Sequence, residues 1–259
     1  PEIPPYAFGA LFFDFSEHAL ATAREMGFDT ERMRADTLAL QQALAGLDDA
    51  ALDAAGPDAL DRALARWPGV ADLIAVRRRM VVDLVTQYRA ALPDHVALVP
   101  QAFPPPFTRL SGFDFAAVGG IADLVGVKLY TMHWPMMLRN WGDAIAAMAP
   151  GASGRAIAAA LVRLTGTGDP EPDSLEALRY PEPDEPHPAS DRAMAEKIRA
   201  ARAEAGGAPI AAFAHAYGPR EDVIRRLRVA WEASDGHVWI NRYGYLSDEK
   251  FASMKAVTA

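Results

Sequence analysis

Apolar residues in the first 90 positions recur at the three- and four-residue spacing that places side chains on one face of a helix. Ser16 precedes the first such stretch, and Asp29 and Thr30 precede the second, as helix-capping residues do. In the stretch 69–92 the apolar stripe consists of Leu73, Ile74, Val81, Leu84, Val85 and Tyr88. The first third of the chain is therefore predicted to be mostly helical.

Beyond Asp94 the pattern changes to short apolar runs that alternate with helical stretches. Four runs are predicted to be strands: HVALVPQAF (95–103), LVGVKLY (124–130), PIAAFAHAYG (209–218) and HVWINRYGY (237–245). Because helices of ten or more residues separate them, the strands are expected to pair in parallel through right-handed crossovers. No glycine-rich phosphate-binding turn follows a strand, which favours a TIM-type (β/α)8 barrel over a nucleotide-binding, doubly wound sheet.

The alternation predicts a single barrel-type α/β domain over residues 1–259. The stretch 166–188 interrupts it with an acidic, proline-rich sequence that has few apolar residues beyond Leu175, Leu178 and Tyr180. This composition predicts a mobile, solvated insertion.

Composition and charge restrict the classes of function. The chain has 259 residues, no cysteine and a formal net charge of −8. The acidic balance disfavours nucleic-acid binding, and the one dense basic run, 77–79, is typical of a solvated helix face. Disulfides and thiolate metal sites are excluded, and no apolar stretch approaches the roughly 20 residues of a membrane span. No targeting pattern is visible, so the sequence leaves the cellular compartment open.

Polar and aromatic side chains collect where the predicted strands end. They are Gln101, Phe103, Tyr130, His133, Trp134, His215, Tyr217, Asn241, Arg242, Tyr243 and Tyr245. In a barrel these side chains would line one mouth. Aromatic rings beside hydrogen-bonding groups suit sugars, whose C–H faces stack on rings while their hydroxyls form directional hydrogen bonds.

Lys128 differs because it lies within a strand, two residues before Tyr130 and on the same face. A lysine inside a barrel needs a partner, so Lys128 either contacts the substrate or a carboxylate, or extends its ammonium to the barrel edge. The residues expected to bind substrate are Gln101, Lys128, Tyr130, His133, Trp134, Tyr217, Asn241, Arg242 and Tyr243.

His133 and His215 are candidates for acid–base groups or metal ligands. No His-x-His or His-Glu-x-x-His motif accompanies them, so neither a metal nor another cofactor is predicted. His95 and His237 precede strands and are expected to be structural. A nucleophilic serine is not indicated, because no Gly-x-Ser-x-Gly elbow occurs.

The stretch YAFGALFFDFSEHALATAREMGFDTERMRA resembles a group of bacterial glycoside-hydrolase-like (β/α)8-barrel proteins. GFDFAAVGGIADLVGVKLYTMHWPMM and WINRYGYLSDEKF are similar to the second half of such a barrel. The resemblance implies activity on a carbohydrate and a strand-four carboxylate, and Glu2 lies near that carboxylate's position. In this group a Cys-Phe-Cys-x-x-Cys turn follows, whereas this chain has Asp14, Ser16 and Ala19 in DFSEHA.

Two consequences follow from the resemblance. Glycoside hydrolysis normally uses two carboxylates, and beyond Glu2 the nearest candidates are Asp14, Glu17 and Glu221, none of which is identified as the second partner. Residues 1 to about 15 would be the exit from strand four. Strands one to three would then belong to a missing N-terminal half or to the second copy in a homodimer, since five units cannot close a barrel.

Three functions remain open from the sequence. The first is a glycoside-hydrolase-like enzyme with Glu2 and His215 as catalytic residues. The second is a catalytically silent barrel that binds a saccharide or another small polar ligand. The third is a lyase or isomerase that uses Lys128 or a histidine as its base.

Overall fold

The computed structural model describes residues 14–168 and 171–258, which form an α/β fold. Its strands are β1 (Gln101–Ala102), β2 (Val125–Lys128), β3 (Ile210–His215) and β4 (Val238–Asn241). Its α-helices are α1 (Glu17–Glu25), α2 (Thr30–Ala45), α3 (Asp49–Asp53), α4 (Ala59–Arg66), α5 (Pro68–Ala91), α6 (Phe107–Ser111), α7 (Phe115–Gly119), α8 (His133–Met148), α9 (Gly154–Thr165), α10 (Asp191–Glu204), α11 (Arg220–Ala233) and α12 (Asp248–Thr258). Single 3-10 turns form at Leu175–Ala177 and Tyr243–Tyr245.

The predicted helix starts are confirmed at the first two helices. Ser16 Oγ accepts a hydrogen bond from the Ala19 amide at 3.3 Å. Asp29 Oδ1 accepts from the amides of Glu31 and Arg32, both at 3.1 Å. These side chains satisfy amides that lack a partner within the helix.

The described strands form one parallel sheet in the order β1-β2-β3-β4. Parallel pairing of four strands, each reached through intervening helices, confirms the predicted α/β alternation. The first strand is much shorter than predicted. Pro100 and Pro104 flank β1, and proline has no amide hydrogen to donate to a ladder. Closure into an eight-stranded barrel stays a prediction, and most of the expected strand-four exit lies outside the described residues.

The two faces of the sheet have different environments. On one face, Val125 and Val127 are fully buried and belong to a core cluster with Phe115 of α7 and Ala201 of α10. Strand alternation places Lys128 on the opposite face. Register then adds further residues to that face: Gln101, Gly126, Phe213, His215, Trp239 and Asn241.

The segment 166–188, described except for residues 169 and 170, has more anchors than its composition predicts. Leu175 and Leu178 are each 5% exposed within the main core, and Pro181 and His187 are also buried. His187 Nδ1 lies 2.7 Å from Thr131 Oγ1. These contacts anchor the described part of the segment at several points, and its mobility stays a prediction.

Among the described residues, no helix has both the length and the apolarity that crossing a bilayer requires.

Candidate functional site

Six rings form a connected group at the carboxyl ends of the strands, which we call the ring cluster. Its members are Tyr130, His133, Tyr180, His215, Tyr217 and Tyr245. Neighbouring ring centres are 5.3 to 5.8 Å apart, within the range of favourable edge-to-face and tilted contacts. The chain segments after β2, β3 and β4 all contribute, and segment 166–188 adds Tyr180.

Tyr130 connects the ends of three strands. Its carbonyl accepts a hydrogen bond from the His133 amide at 2.8 Å, and His133 is the first residue of α8, the helix that follows β2. Its ring centre lies 5.3 Å from that of His215 at the end of β3. Its hydroxyl accepts a hydrogen bond from Asn241 Nδ2 at the end of β4. Tyr130, His133, His215 and Asn241, which all follow or end predicted strands, therefore lie close together.

Lys128 lies below this cluster and is 9% exposed. Its Nζ is 5.6 Å from the centre of the Phe103 ring and 5.9 Å from the centre of the Tyr130 ring. The negative face of an aromatic ring attracts a cation at such distances. Lys128 therefore shares the face of Tyr130, and these two rings stabilise its ammonium.

His215 is uncharged at neutral pH. Burial, together with the positive charges of Arg226, His133 and Arg242, lowers the pKa of His215 to about 3. Its Nδ1 accepts the Tyr217 amide at 3.1 Å, which assigns the ring proton to Nε2. At neutral pH the ring can donate a hydrogen bond through Nε2, but it holds no additional proton for acid catalysis.

A buried ion pair holds the ends of β3 and segment 166–188 together. Arg226 Nε donates to Asp222 Oδ2 at 2.7 Å, and both side chains are 3% exposed. Arg226 Nη1 donates to the His215 carbonyl at 2.8 Å, and its Nη2 donates to the Tyr217 carbonyl. Asp222 Oδ2 also accepts the His187 amide at 3.2 Å. The sequence shows only a helical Asp–Arg pair four residues apart, so this supporting role could not be recognised.

Mostly exposed residues on β4 and directly after it border the ring cluster. We call this group the β4 surface. It consists of Trp239, Asn241, Arg242, Tyr243 and Tyr245, of which the three rings are 50%, 83% and 50% exposed. Arg242 adopts a left-handed conformation with φ of 70°, and its amide donates to Asn241 Oδ1 at 2.7 Å. No ion pair of the Arg242 guanidinium occurs among the described residues. Trp239 was not among the predicted site residues, because its sequence context is that of an ordinary strand residue.

Two predicted site residues lie apart from the ring cluster, and a third is not among the described residues. Trp134 is 1% exposed and packs in the core, with its ring centre 6.5 Å from that of Phe107. Consecutive helical residues point in different directions, which separates Trp134 from His133. Gln101 is exposed on β1, at the far side of the sheet from β4. Glu2 lies outside the described residues.

The other carboxylates considered from sequence have local partners. Asp14 Oδ1 accepts the Ser16 amide at 3.0 Å, and Glu221 pairs with Arg220 at 2.7 Å. Glu17 lies in the first turn of α1, where a carboxylate stabilises a helix start. Within the part of the chain that the structure describes, no group of three or more histidine or acidic side chains could hold a metal ion.

Comparison with known proteins adds no relative: no family model, no curated protein and no solved structure matches the chain. The assignment of function therefore depends on the geometry of the site.

Proposed function

We propose that this protein binds a carbohydrate at the β4 surface. The observation that carries the proposal is that three exposed rings, Trp239, Tyr243 and Tyr245, are interspersed along the chain at the end of β4 with an amide and a guanidinium. Large exposed apolar side chains that occur together mark interaction sites. Here they alternate with hydrogen-bonding groups, and this combination suits the apolar faces and the hydroxyls of a sugar.

The buried members of the ring cluster, Tyr130, His215 and Tyr217, give this surface a fixed base. Tyr245 contacts both His215 and Tyr217, with ring centres 5.8 and 5.4 Å away. Asn241 is held from both ends of its amide group, by Tyr130 and by the backbone of Arg242. A site whose side chains are already ordered loses less conformational entropy when a ligand binds.

The neutral state of His215 favours ligand binding over acid catalysis at this site. With a pKa of about 3, His215 is deprotonated at the pH where most enzymes act. Its Nε2–H remains a hydrogen-bond donor for a sugar hydroxyl. The net charge of −8 further favours a neutral ligand over a polyanion such as nucleic acid.

The proposal is tested by screening the protein against an array of oligosaccharides, together with Tyr243→Ala and Tyr88→Ala. Tyr88 is the matched control, since it is a 57% exposed tyrosine on α5. We expect saturable binding of at least one glycan by the parent protein and by Tyr88→Ala. Loss of the Tyr243 ring should weaken that binding about three- to tenfold, the usual effect of one aromatic contact. Equal binding by the two variants, or no glycan bound at all, contradicts the proposal.

The glycoside-hydrolase-like activity that the resemblance implies can be measured in the same samples. If the parent protein releases reducing ends from a bound glycan and Glu2→Gln does not, the protein hydrolyses the glycan as well as binding it. Bound glycans that stay intact would leave binding as the activity.

A further inference from the structure

Lys197 of α10 is buried beside the C-terminal end of α9, with a side chain that is 7% exposed. Its Nζ donates a hydrogen bond to the carbonyl of Thr165, the last residue of α9, and lies 5.9 Å from the centre of the Phe107 ring. Within the described part of the chain, no carboxylate forms an ion pair with Lys197. Buried lysines in native proteins are normally paired, so this position is unusual for an ammonium group.

The surroundings of Lys197 favour the uncharged amine. Burial lowers the pKa of Lys197 to about 8, against the weaker, opposite effect of the Glu196 carboxylate. At pH 7.5 about a quarter of the molecules then carry the free amine, compared with about one in a thousand for a lysine of ordinary pKa. The free amine is the form that attacks a carbonyl carbon.

A cavity of about 330 Å³ lies beside this side chain, between the start of α6, the end of α9 and α10. Its lining includes Lys197 and Ala200 of α10, Pro106 before α6, and Gly166 at the end of α9. A cavity of about 150 Å³ is large enough for benzene, so a small organic molecule fits here.

Gly166 indicates that the Lys197 nitrogen can be reached from this cavity. Gly166 is exposed and ends α9 in the left-handed conformation, with φ of 59°. A Cβ atom built on residue 166 would lie 3.4 Å from Lys197 Nζ and, apart from the flanking residues, within 4 Å of no other described atom. A ligand carbon at this open position would be at the distance from which a nucleophile attacks, roughly 3–3.5 Å.

We propose that Lys197 is a covalent binding site for a small neutral aldehyde, which it holds as a Schiff base. Nζ attacks the carbonyl carbon, the carbonyl oxygen leaves as water, and a carbon–nitrogen double bond forms. The ammonium and the aldehyde together give an iminium ion and one water molecule, whose two hydrogens come from the nitrogen. The iminium keeps one N–H for the Thr165 carbonyl and a positive charge at the C-terminal end of α9, where a cation is stabilised.

The charges around the cavity favour an aldehyde over other electrophiles. An acyl donor would leave a neutral amide, and carbon dioxide would leave a carbamate anion, at a helix end that stabilises a cation. Arg109 and Glu196 of the lining are paired, with Asp61 at 2.9 Å and with Arg192 at 3.4 Å. The remaining carboxylate of the lining, Glu204, disfavours an anionic aldehyde.

This site is distinct from the β4 surface. Ala201 of α10 belongs to the core cluster of Val125, on one face of the sheet, whereas Trp239 and Asn241 lie on the opposite face. The inference does not depend on carbohydrate binding, and Tyr243→Ala should leave it unchanged.

The test is reductive alkylation of the full chain with propionaldehyde and cyanoborohydride near pH 7. Cyanoborohydride reduces the iminium ion to a stable secondary amine, so each alkylated lysine records a Schiff base. Peptide mass spectrometry follows the four lysines of the chain separately: Lys128, Lys197, Lys250 and Lys255. Lys255 is exposed and serves as the internal reference.

Two glycine variants test the route to the nitrogen. Gly166→Ala places a methyl group in the open position beside Lys197 Nζ. Gly206→Ala is the matched control, because Gly206 has nearly the same left-handed backbone, with φ of 62°, and an added Cβ atom there would have nothing described within 4 Å. Both variants therefore introduce the same backbone strain, and Gly166→Ala alone obstructs Lys197.

We expect Lys197 to be alkylated about tenfold faster than Lys255 in the parent protein and in Gly206→Ala, since each unit of lower pKa raises the free-amine fraction about tenfold and restricted access offsets part of that gain. Gly166→Ala should slow Lys197 at least about threefold and leave Lys255 unchanged. Alkylation of Lys197 no faster than that of Lys255, or equal rates in the two glycine variants, would overturn the inference. The comparison within the parent protein needs no variant, so it decides the inference even if Gly166→Ala does not fold.

Discussion

At the scale of single residues, the two buried histidines make the stability of the protein depend on pH. Burial is the largest cause that lowers the pKa of both His187 and His215 to about 3, whereas an unfolded chain gives histidine a pKa near 6.5. Between these values the unfolded state binds more protons, so the free energy of unfolding must fall as the pH is lowered from about 6.5 toward 3. The expected slope is about 1.4 kcal/mol per pH unit for each histidine.

Urea denaturation between pH 5 and 6.5 measures this slope, because Asp222 and Glu185, whose folded pKa values are lowered, stay largely ionised in both the folded and the unfolded state there. His187→Asn can keep the bond to Thr131 and should remove about half of the slope. His95→Gln, on an exposed residue, should leave it unchanged. A pH-independent free energy of unfolding across this window would show that these histidines are not held neutral in the folded protein.

At the scale of elements, helices α2 and α5 approach each other closely at Gly69. A Cβ atom added there would lie 2.5 Å from the Arg32 carbonyl oxygen, and the Gly69 amide donates to Asp36 Oδ2 at 2.6 Å. Gly69→Ala should therefore lower the free energy of unfolding by about 1–3 kcal/mol through overpacking. Chemical denaturation measures the change. Gly46→Ala is the control, since its nearest contact would be an ordinary 3.6 Å. An unchanged Gly69→Ala would contradict the close crossing.

Helices were easier to predict from sequence than strands for a physical reason. Caps such as Ser16 and Asp29 are local, so short windows of sequence contain the whole signal. The length of β1 depends instead on pairing with β2, and the packing of segment 166–188 depends on Leu175 and His187 finding distant partners. Such long-range contacts leave no periodic pattern.

At the scale of the whole molecule, parallel strands explain why the site was partly predictable. Carboxyl ends of parallel strands meet at one edge of a sheet, which brings Tyr130, His215 and Asn241 together from distant positions. The same reasoning could not anticipate Tyr180, which comes from an insertion, or the core position of Trp134. Among the described strands, β4 pairs only with β3, and closure into a barrel stays a prediction.

The central claim, carbohydrate binding at the β4 surface, is tested most directly by calorimetric titration of one array-selected oligosaccharide into the parent protein, Tyr243→Phe and Tyr243→Ala. Stacking on the ring predicts that Tyr243→Phe binds within about twofold of the parent protein, while Tyr243→Ala binds about three- to tenfold more weakly. Tyr243 is 83% exposed, so neither change should alter the fold. Equal affinities for all three proteins, or no measurable heat of binding with any glycan, would contradict the account.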